Sequence, residues 1–351
     1  MPSVRELGKE DWAAWDQLVA ASPQGNVFMR SDWLQMLCET EPGLQLLHLG
    51  CFSDAGSLIG GLAMPYTVQC GLKLAAPVEF FYHNSVLLAP PQRRSTAAIV
   101  REQSHVVADL AGELARRLHY ARSELHPAFR DVRMFLYAGW QVETVYTHIW
   151  RMTDTEQTWM SMTREKRRQI KAASRNYTFT VEGEQALDDF LALYRETMRK
   201  FYWWPSPEWE ARFRCRFQWM RACDGCRLYT ARTPEGALHA GVVALLSRED
   251  HTAYLWRLGS ARVSAETGLV PALYWQAACD LAQEFEQVDL GGSPEVTLNT
   301  FKDYLGAEAA QHFVVSHRSS PRKLAALEQG MLLKDKLYSA GMQLRDRWQR
   351  K

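Results

Sequence analysis

Val288-Asp289-Leu290-Gly291-Gly292-Ser293, followed within one loop by Phe301-Lys302-Asp303-Tyr304-Leu305-Gly306, is the stretch on which the reading of this chain turns. It describes an apolar strand that ends in an acid and two glycines, then a short helix that opens with an aromatic residue and a lysine. Glycine lets a second group approach the backbone closely and supplies turn conformations that other residues resist. A strand-to-helix step of this composition is a common ligand-binding place in α/β proteins.

Working outward, 351 residues exceed what one hydrophobic core normally organises, so two domains are expected. Hydrophobic residues make up 47% and charged ones 23%, an ordinary globular balance. A net charge of +1 exerts no global pull on nucleic acid or anionic membrane, so such a partner needs a local patch and a DNA partner is not expected. The seven cysteines are scattered, and no basic-then-apolar leader opens the chain, which together suggest a reducing cytoplasm. Cys223-Asp224-Gly225-Cys226 lacks a second ligand pair, and the ten histidines show no metal-ligand spacing, so no metal is expected.

The order of elements repeats. A short strand at 4–7, helices at 9–21 and 31–40, and strands at 46–52, 58–68 and 78–88 precede a long amphipathic helix at 96–123. Strands at 132–137 and 142–150 end that half. In the second half a basic helix at 155–176 leads to a strand at 177–181, helices at 186–201 and 207–223, and strands at 227–231, 237–246 and 252–258. A helix at 268–286, a strand at 288–290, the short helix at 301–305 and a strand at 312–316 complete it. The halves match in order, save for an extra short helix between the last two strands of the second.

That order is similar to the GNAT acetyltransferase fold, and two copies in one chain resemble the Fem family of tandem-GNAT aminoacyltransferases. Three stretches carry the resemblance: DLGGSPEVTLNTFKDYLG at 289–306, Arg167-Arg168-Gln169-Ile170-Lys171-Ala172-Ala173, and Phe28-Met29-Arg30-Ser31-Asp32-Trp33. They fit the family's D-L-G-G with F-K-x-x-x-G signature, its R-x-x-I-K-x-A helix and its F-x-x-S-x-W motif. BioF-like and CelD-like acetyltransferases share the architecture. The resemblance implies an α/β fold of two GNAT-like (acyl-CoA N-acyltransferase) domains, each a mixed sheet flanked by helices, at 1–150 and 151–320, with the site in the second. A basic helix at 321–351 follows, with a packing role or contact with RNA or a membrane surface as its two readings.

The activity implied is transfer of an aminoacyl or acyl group to an amine of a cell-envelope precursor or small metabolite. The co-substrate would be aminoacyl-tRNA or acyl-CoA, with no tightly bound cofactor. No Ser-His-Asp or Cys-His signature is visible, which favours direct attack by the amine over a covalent acyl-enzyme. Single-domain GNAT enzymes commonly carry a tyrosine where Lys302 stands, four residues before Gly306; a lysine there suits charge stabilisation of an oxyanion or a substrate anion. Asp289 either orients the amine or simply caps the turn. Gly291, Gly292 and Phe301 complete the candidate step, while Tyr254 and Trp256 share one strand face and either line an acceptor channel or pack the core.

Arg164, Arg168, Lys171 and Arg175 recur at i, i+4, i+7 and i+11, one helix face. That stripe suits a phosphate-rich partner such as a tRNA acceptor stem, a nucleotide-linked sugar or a lipid pyrophosphate, or is a solvated face. Against CoA, the stretch Ala261–Leu269 has one glycine where CoA-dependent relatives carry a glycine-rich pyrophosphate loop. A non-catalytic GNAT-like binding protein is the remaining reading.

Overall fold

The computed structural model describes residues 3–91, 95–201, 203–262 and 267–319. Each half of the chain builds the same order of elements. The first half runs β1 (Ser3–Glu6), α1 (Trp12–Ala21), α2 (Ser31–Thr40), β2 (Gln45–Phe52), β3 (Leu58–Gln69), β4 (Leu72–Ala75), the two-residue β5 (Leu87–Leu88), α3 (Thr96–Arg117), β6 (Tyr120–Glu124), α4 (Arg133–Tyr137) and β7 (Gln141–Arg151). Two helices follow, α5 (Thr155–Ser161) and α6 (Arg164–Asn176). The second half then runs β8 (Thr178–Glu182), α7 (Leu187–Arg199), α8 (Pro207–Ala222), β9 (Cys226–Arg232), β10 (Leu238–Ser247), β11 (Thr252–Ser260), α9 (Leu269–Leu281), β12 (Gln287–Asp289), α10 (Val296–Tyr304) and β13 (Glu308–Arg318).

The compact units do not follow chain order to the end. The first holds the residues up to Thr147 with Ser247–Asp250 and the segment from Ala310; the second holds His148–Leu246 and His251–Ala309. In the first unit the strands lie in the order β1-β2-β3-β4-β6-β13, antiparallel except for the parallel pair of β4 with β6. In the second the order is β7-β12-β11-β10-β9-β8, with β11 and β12 parallel. Each half therefore lends its last strand to the other half's sheet: Val314–Arg318 pairs with β6, and Ile149–Arg151 pairs with β12.

Helix α3 buries Val106, Val107, Leu110, Ala111 and Leu114 in the core of the first unit, against Leu47, Leu49, Leu62 and Met64 of β2 and β3. These positions recur at helical spacing, which is why a mostly polar segment holds to the sheet. In the second unit α9 is apolar nearly all round, as a helix enclosed by other elements must be, and buries Leu269, Ala272, Leu273, Ala277, Ala278 and Leu281. Ile170 and Ala173 of α6 enter the same core.

Four expectations are corrected. Residues 120–123, read as the end of the helix at 96–123, belong to β6: α3 stops at Arg117, and Tyr120 and Ala121 pair with Leu74 and Ala75 of β4. Residues 132–137, read as a strand, form α4. The Asp131 carboxylate accepts from Arg133 N–H (3.1 Å) at its start, and after Gly139 (φ 78°) Trp140 N–H returns to Phe135 O (3.0 Å). The short helix thought extra in the second half thus has a counterpart, and the halves match element for element except for the two-residue β5 of the first. Of 78–88 only Leu87–Leu88 pairs as strand. The rest is held by side chains, with Trp33 Nε1 donating to Phe80 O (2.7 Å) and Ser123 Oγ to Asn84 O (2.6 Å). The basic helix at 155–176 is two helices, because Thr163 caps a new one, its hydroxyl accepting from Lys166 N–H (3.3 Å).

Candidate active site

Strands β11 and β12 pair only as far as Tyr254 opposite Asp289, yet β11 continues to Ser260. What ends β12 is local. The Asp289 carboxylate accepts from Gly291 N–H (2.6 Å), Gly291 takes a left-handed φ of 78°, and Leu290 N–H bonds to His148 O (2.8 Å), toward β7. The chain swings away from β11, and the β11 edge beyond Tyr254 is left without its parallel neighbour. At the far end of that edge Thr197 Oγ1 accepts from Ser260 N–H (2.8 Å) and donates to Ser260 O (3.2 Å), so the gap between β11 and β12 lies between Tyr254 and Ser260.

Lys302 reaches back from α10 to the same turn. Its Nζ donates to Gly291 O at 2.6 Å, so both backbone groups of Gly291 are held by charged side chains. Asp289 is 2% exposed and Lys302 7%. Burial pushes the Lys302 pKa below that of a free lysine, while the neighbouring Asp289 charge opposes that shift. A buried ammonium and a buried carboxylate stabilise each other across the turn, and removing one leaves the other uncompensated. Gly292, exposed, and Gly291, half-buried, form the lip of the turn.

Sequence reading missed His148, which stands at the end of β7 with no local motif to mark it. Its Nε2 lies 3.4 Å from Asp303 Oδ1, and its Nδ1 is buried and makes no hydrogen bond among the described residues. Burial, and then the nearby Lys302 charge, hold it below the ordinary histidine pKa, so the ring is neutral near pH 7. A neutral imidazole beside a carboxylate can accept a proton.

The other candidates divide. Tyr254 is buried and Trp256 half-buried, both on the β11 face opposite Ala253 and Leu255, which enter the core. The Arg257 guanidinium lies 3.9 Å from the Trp256 ring centroid. Phe301 packs against the core and carries the Lys166 ammonium 5.3 Å from its ring centroid, which makes it a support for α6. Arg164, Arg168, Lys171 and Arg175 are all exposed, and none forms an ion pair among the described residues.

Two glycines, Gly306 at the end of the 289–306 stretch and Gly268 of the segment before α9, have packing reasons. Gly306 has φ 68°, and a Cβ there would stand 2.6 Å from the Ser161 carbonyl carbon. Gly268, also φ 68°, precedes α9, and a Cβ would meet Gln169 Cβ at 2.7 Å. Gly268 lets α6 press close to the start of α9, and Gly306 lets the end of α5 press close to the turn after α10. Of Ala261–Leu269, residues 263–266 lie outside the described ones, as does the basic tail at 321–351. The N-terminal motif is structural. Phe28 and Trp33 are buried, and Ser31 N–H and Oγ donate to the Asp16 carboxylate (2.8 and 2.5 Å).

Residues 160–303 match the family model described as "Acetyltransferase (GNAT) domain". Solved structures extend the likeness to both halves. FemX superposes with a TM-score of 0.61 at 10% identity, covering 89% of this chain and 96% of FemX. The C-terminal domain of a putative lysylphosphatidylglycerol synthetase from Agrobacterium fabrum gives 0.56 at 12%, covering 92% and 96%. A tandem GNAT protein from the clavulanic acid biosynthesis pathway gives 0.52 at 14%, covering 92% and 99%. The chain has the tandem GNAT fold. No curated protein sequence matches it.

In this chain the two units have equivalent strand steps, one parting at Tyr254 and Asp289 and the other closed. In the first unit β4 pairs with β6 at Leu74–Tyr120 and Ala75–Ala121, after which Asn84 takes the edge. Asn84 N–H donates to Glu124 O (3.1 Å), and its Oδ1 accepts from Glu124 N–H (2.7 Å). The chain itself thus closes the strand step that in the second unit parts at Tyr254 and Asp289. No helix among the described residues is long and apolar enough to cross a membrane.

Proposed function

We propose that this chain is an N-acyltransferase whose second unit transfers an aminoacyl group from charged tRNA to an amine of a cell-envelope precursor or small metabolite. The observation that carries the proposal of acyl transfer is the parting of β11 from β12 at Tyr254 and Asp289 beside the fixed Lys302–Gly291 turn. An acyl group laid in the gap between β11 and β12 would have its carbonyl near that turn. The acceptor nitrogen would form the new N–C bond, the C–O bond to the tRNA ribose would break, and the amine proton would pass, by way of a base, to the leaving hydroxyl. His148 is the candidate base, Asp289 holds the turn, and Lys302 supplies positive charge where the oxyanion develops.

Two observations support tRNA as donor: four exposed basic side chains on one face of α6, and the place of that helix beside the start of α9. The names of two solved relatives, FemX and lysylphosphatidylglycerol synthetase, are in keeping with a cell-envelope setting. Acyl-CoA is the second reading, favoured by the gap between β11 and β12 and the acetyltransferase family match. In either case the donor is a co-substrate, and the reaction belongs in the cytoplasm, where both donors reside.

A donor screen tests this. Thermal melts and calorimetric titration should show saturable stabilisation by aminoacyl-tRNA but not by acetyl-CoA. Stabilisation by acetyl-CoA alone would remove the tRNA reading, and no response to either donor would favour a non-catalytic binding protein.

A further inference from the structure

The ten histidines have no metal-ligand spacing in sequence, but the fold gathers three of them in the first unit. His83 comes from the loop before β5, His126 from just beyond β6, and His312 from β13. The His83 ring lies 5.4 Å, centroid to centroid, from each of the other two, edge-on in both cases. Glu124, at the end of β6, has Oε1 3.0 Å from His312 Nε2. One nitrogen each from His83 and His312 and one Glu124 oxygen lie within 4.8 Å of one another.

The three are held from behind. Asn84, next to His83, is bonded to Ser123 and Glu124 on both sides. His312 sits on the strand that pairs with β6, where Leu125 N–H donates to Phe313 O (2.8 Å). His126 is already engaged, its Nε2 3.0 Å from Asp250 Oδ2 and its Nδ1 accepting from Ala128 N–H (3.2 Å), so it lies outside the ligand set. His312 Nδ1 is buried and makes no hydrogen bond among the described residues.

We propose that His83, Glu124 and His312 form a binding site for a divalent transition-metal ion of the zinc class. Two imidazoles and a carboxylate make a donor set that zinc takes with water as a further ligand. Ligand atoms around a tetrahedral ion with bonds of ~2.0 Å stand roughly 3.3 Å apart, so side-chain adjustments of about 1 Å close the set. Glu124, 23% exposed at its side chain, is the way in, while His312 is 1% exposed. The ion would pin the 76–86 loop and β13 to the end of β6.

The test uses the untagged full chain, stripped with chelator and titrated with Zn2+ and with Co2+ as a spectroscopic probe near neutral pH. The expected result is one equivalent of Zn2+ bound, a raised thermal midpoint, and Co2+ absorption bands of a four- or five-coordinate site. His83→Gln and His312→Gln should each weaken binding about 10- to 100-fold or more. Glu124→Gln, at the exposed edge, serves should a histidine variant fail to fold. Cys223→Ser should change nothing. Absence of saturable binding, wild-type affinity in the ligand variants, or loss of binding in Cys223→Ser would overturn the site.

Discussion

Glu124 and Asp289 occupy the same step of the two units. Each ends the strand that follows a long helix, each pairs with the antiparallel closing strand, at Val314 and Ile149 respectively, and each carboxylate meets cationic or titratable side chains. Around Glu124 the chain folds back on itself and histidines crowd in. Around Asp289 a two-glycine turn and Lys302 keep the backbone away from β11. One scaffold can therefore carry a closed step and an open one, and the difference lies in a loop and a few side chains rather than in the sheet.

The sharpest way to break that contrast is Lys302→Ala. If the open step is catalytic, turnover should fall by about 10²–10³, as for loss of an oxyanion donor. Circular dichroism should show the fold intact, and near-normal turnover would remove Lys302 from the reaction. His148→Gln should lower kcat and abolish the acid limb of its pH profile. Because the His148 pKa is held down, that limb in the parent should lie below the ordinary histidine range.

A second test addresses the histidine-rich unit through His48, buried beside Trp15 and held down to a pKa of about 4 by burial. The unfolded chain takes up this proton near pH 6.5 and the folded chain only near 4. Stability is therefore in full above pH 6.5 and is lost as pH falls between those values, by about 3 kcal/mol from this group. Denaturant melts across that window should show the slope, and His48→Phe should flatten it. Gly306→Ala should cost about 1–3 kcal/mol, from its positive φ and the Ser161 backbone, read as a lower midpoint. The smallest effect on folding belongs to Arg168→Gln with Lys171→Gln. It should leave melting nearly unchanged yet weaken tRNA binding and flatten its salt dependence by about one charge for each phosphate that is no longer neutralised.

The sequence was legible where side chains act on their own backbone. The two-glycine step, the amphipathic α3 and the exposed stripe of α6 follow from local pattern. Lys302 stands where its motif puts it, but its bond to Gly291 O was not foreseeable, since a buried lysine and a solvated one look alike in sequence. The loop at 78–88 and α4 were misread because Trp33, Ser123 and Asp131 decide them, two of these from far along the chain. His148, His83 and His312 were invisible for the same reason: their neighbours come from strands exchanged between the halves.

That exchange also orders the birth of the protein. The first unit takes its closing strand from beyond Ala310, after all the strands of the second, so its sheet lacks β13 until residue 318 has emerged. The second unit, closed by β7, already has all its strands before then. Folding on the ribosome should thus finish with the unit whose strands are begun first, and a chain cut after Ala309 should lose the first unit's edge while the second remains.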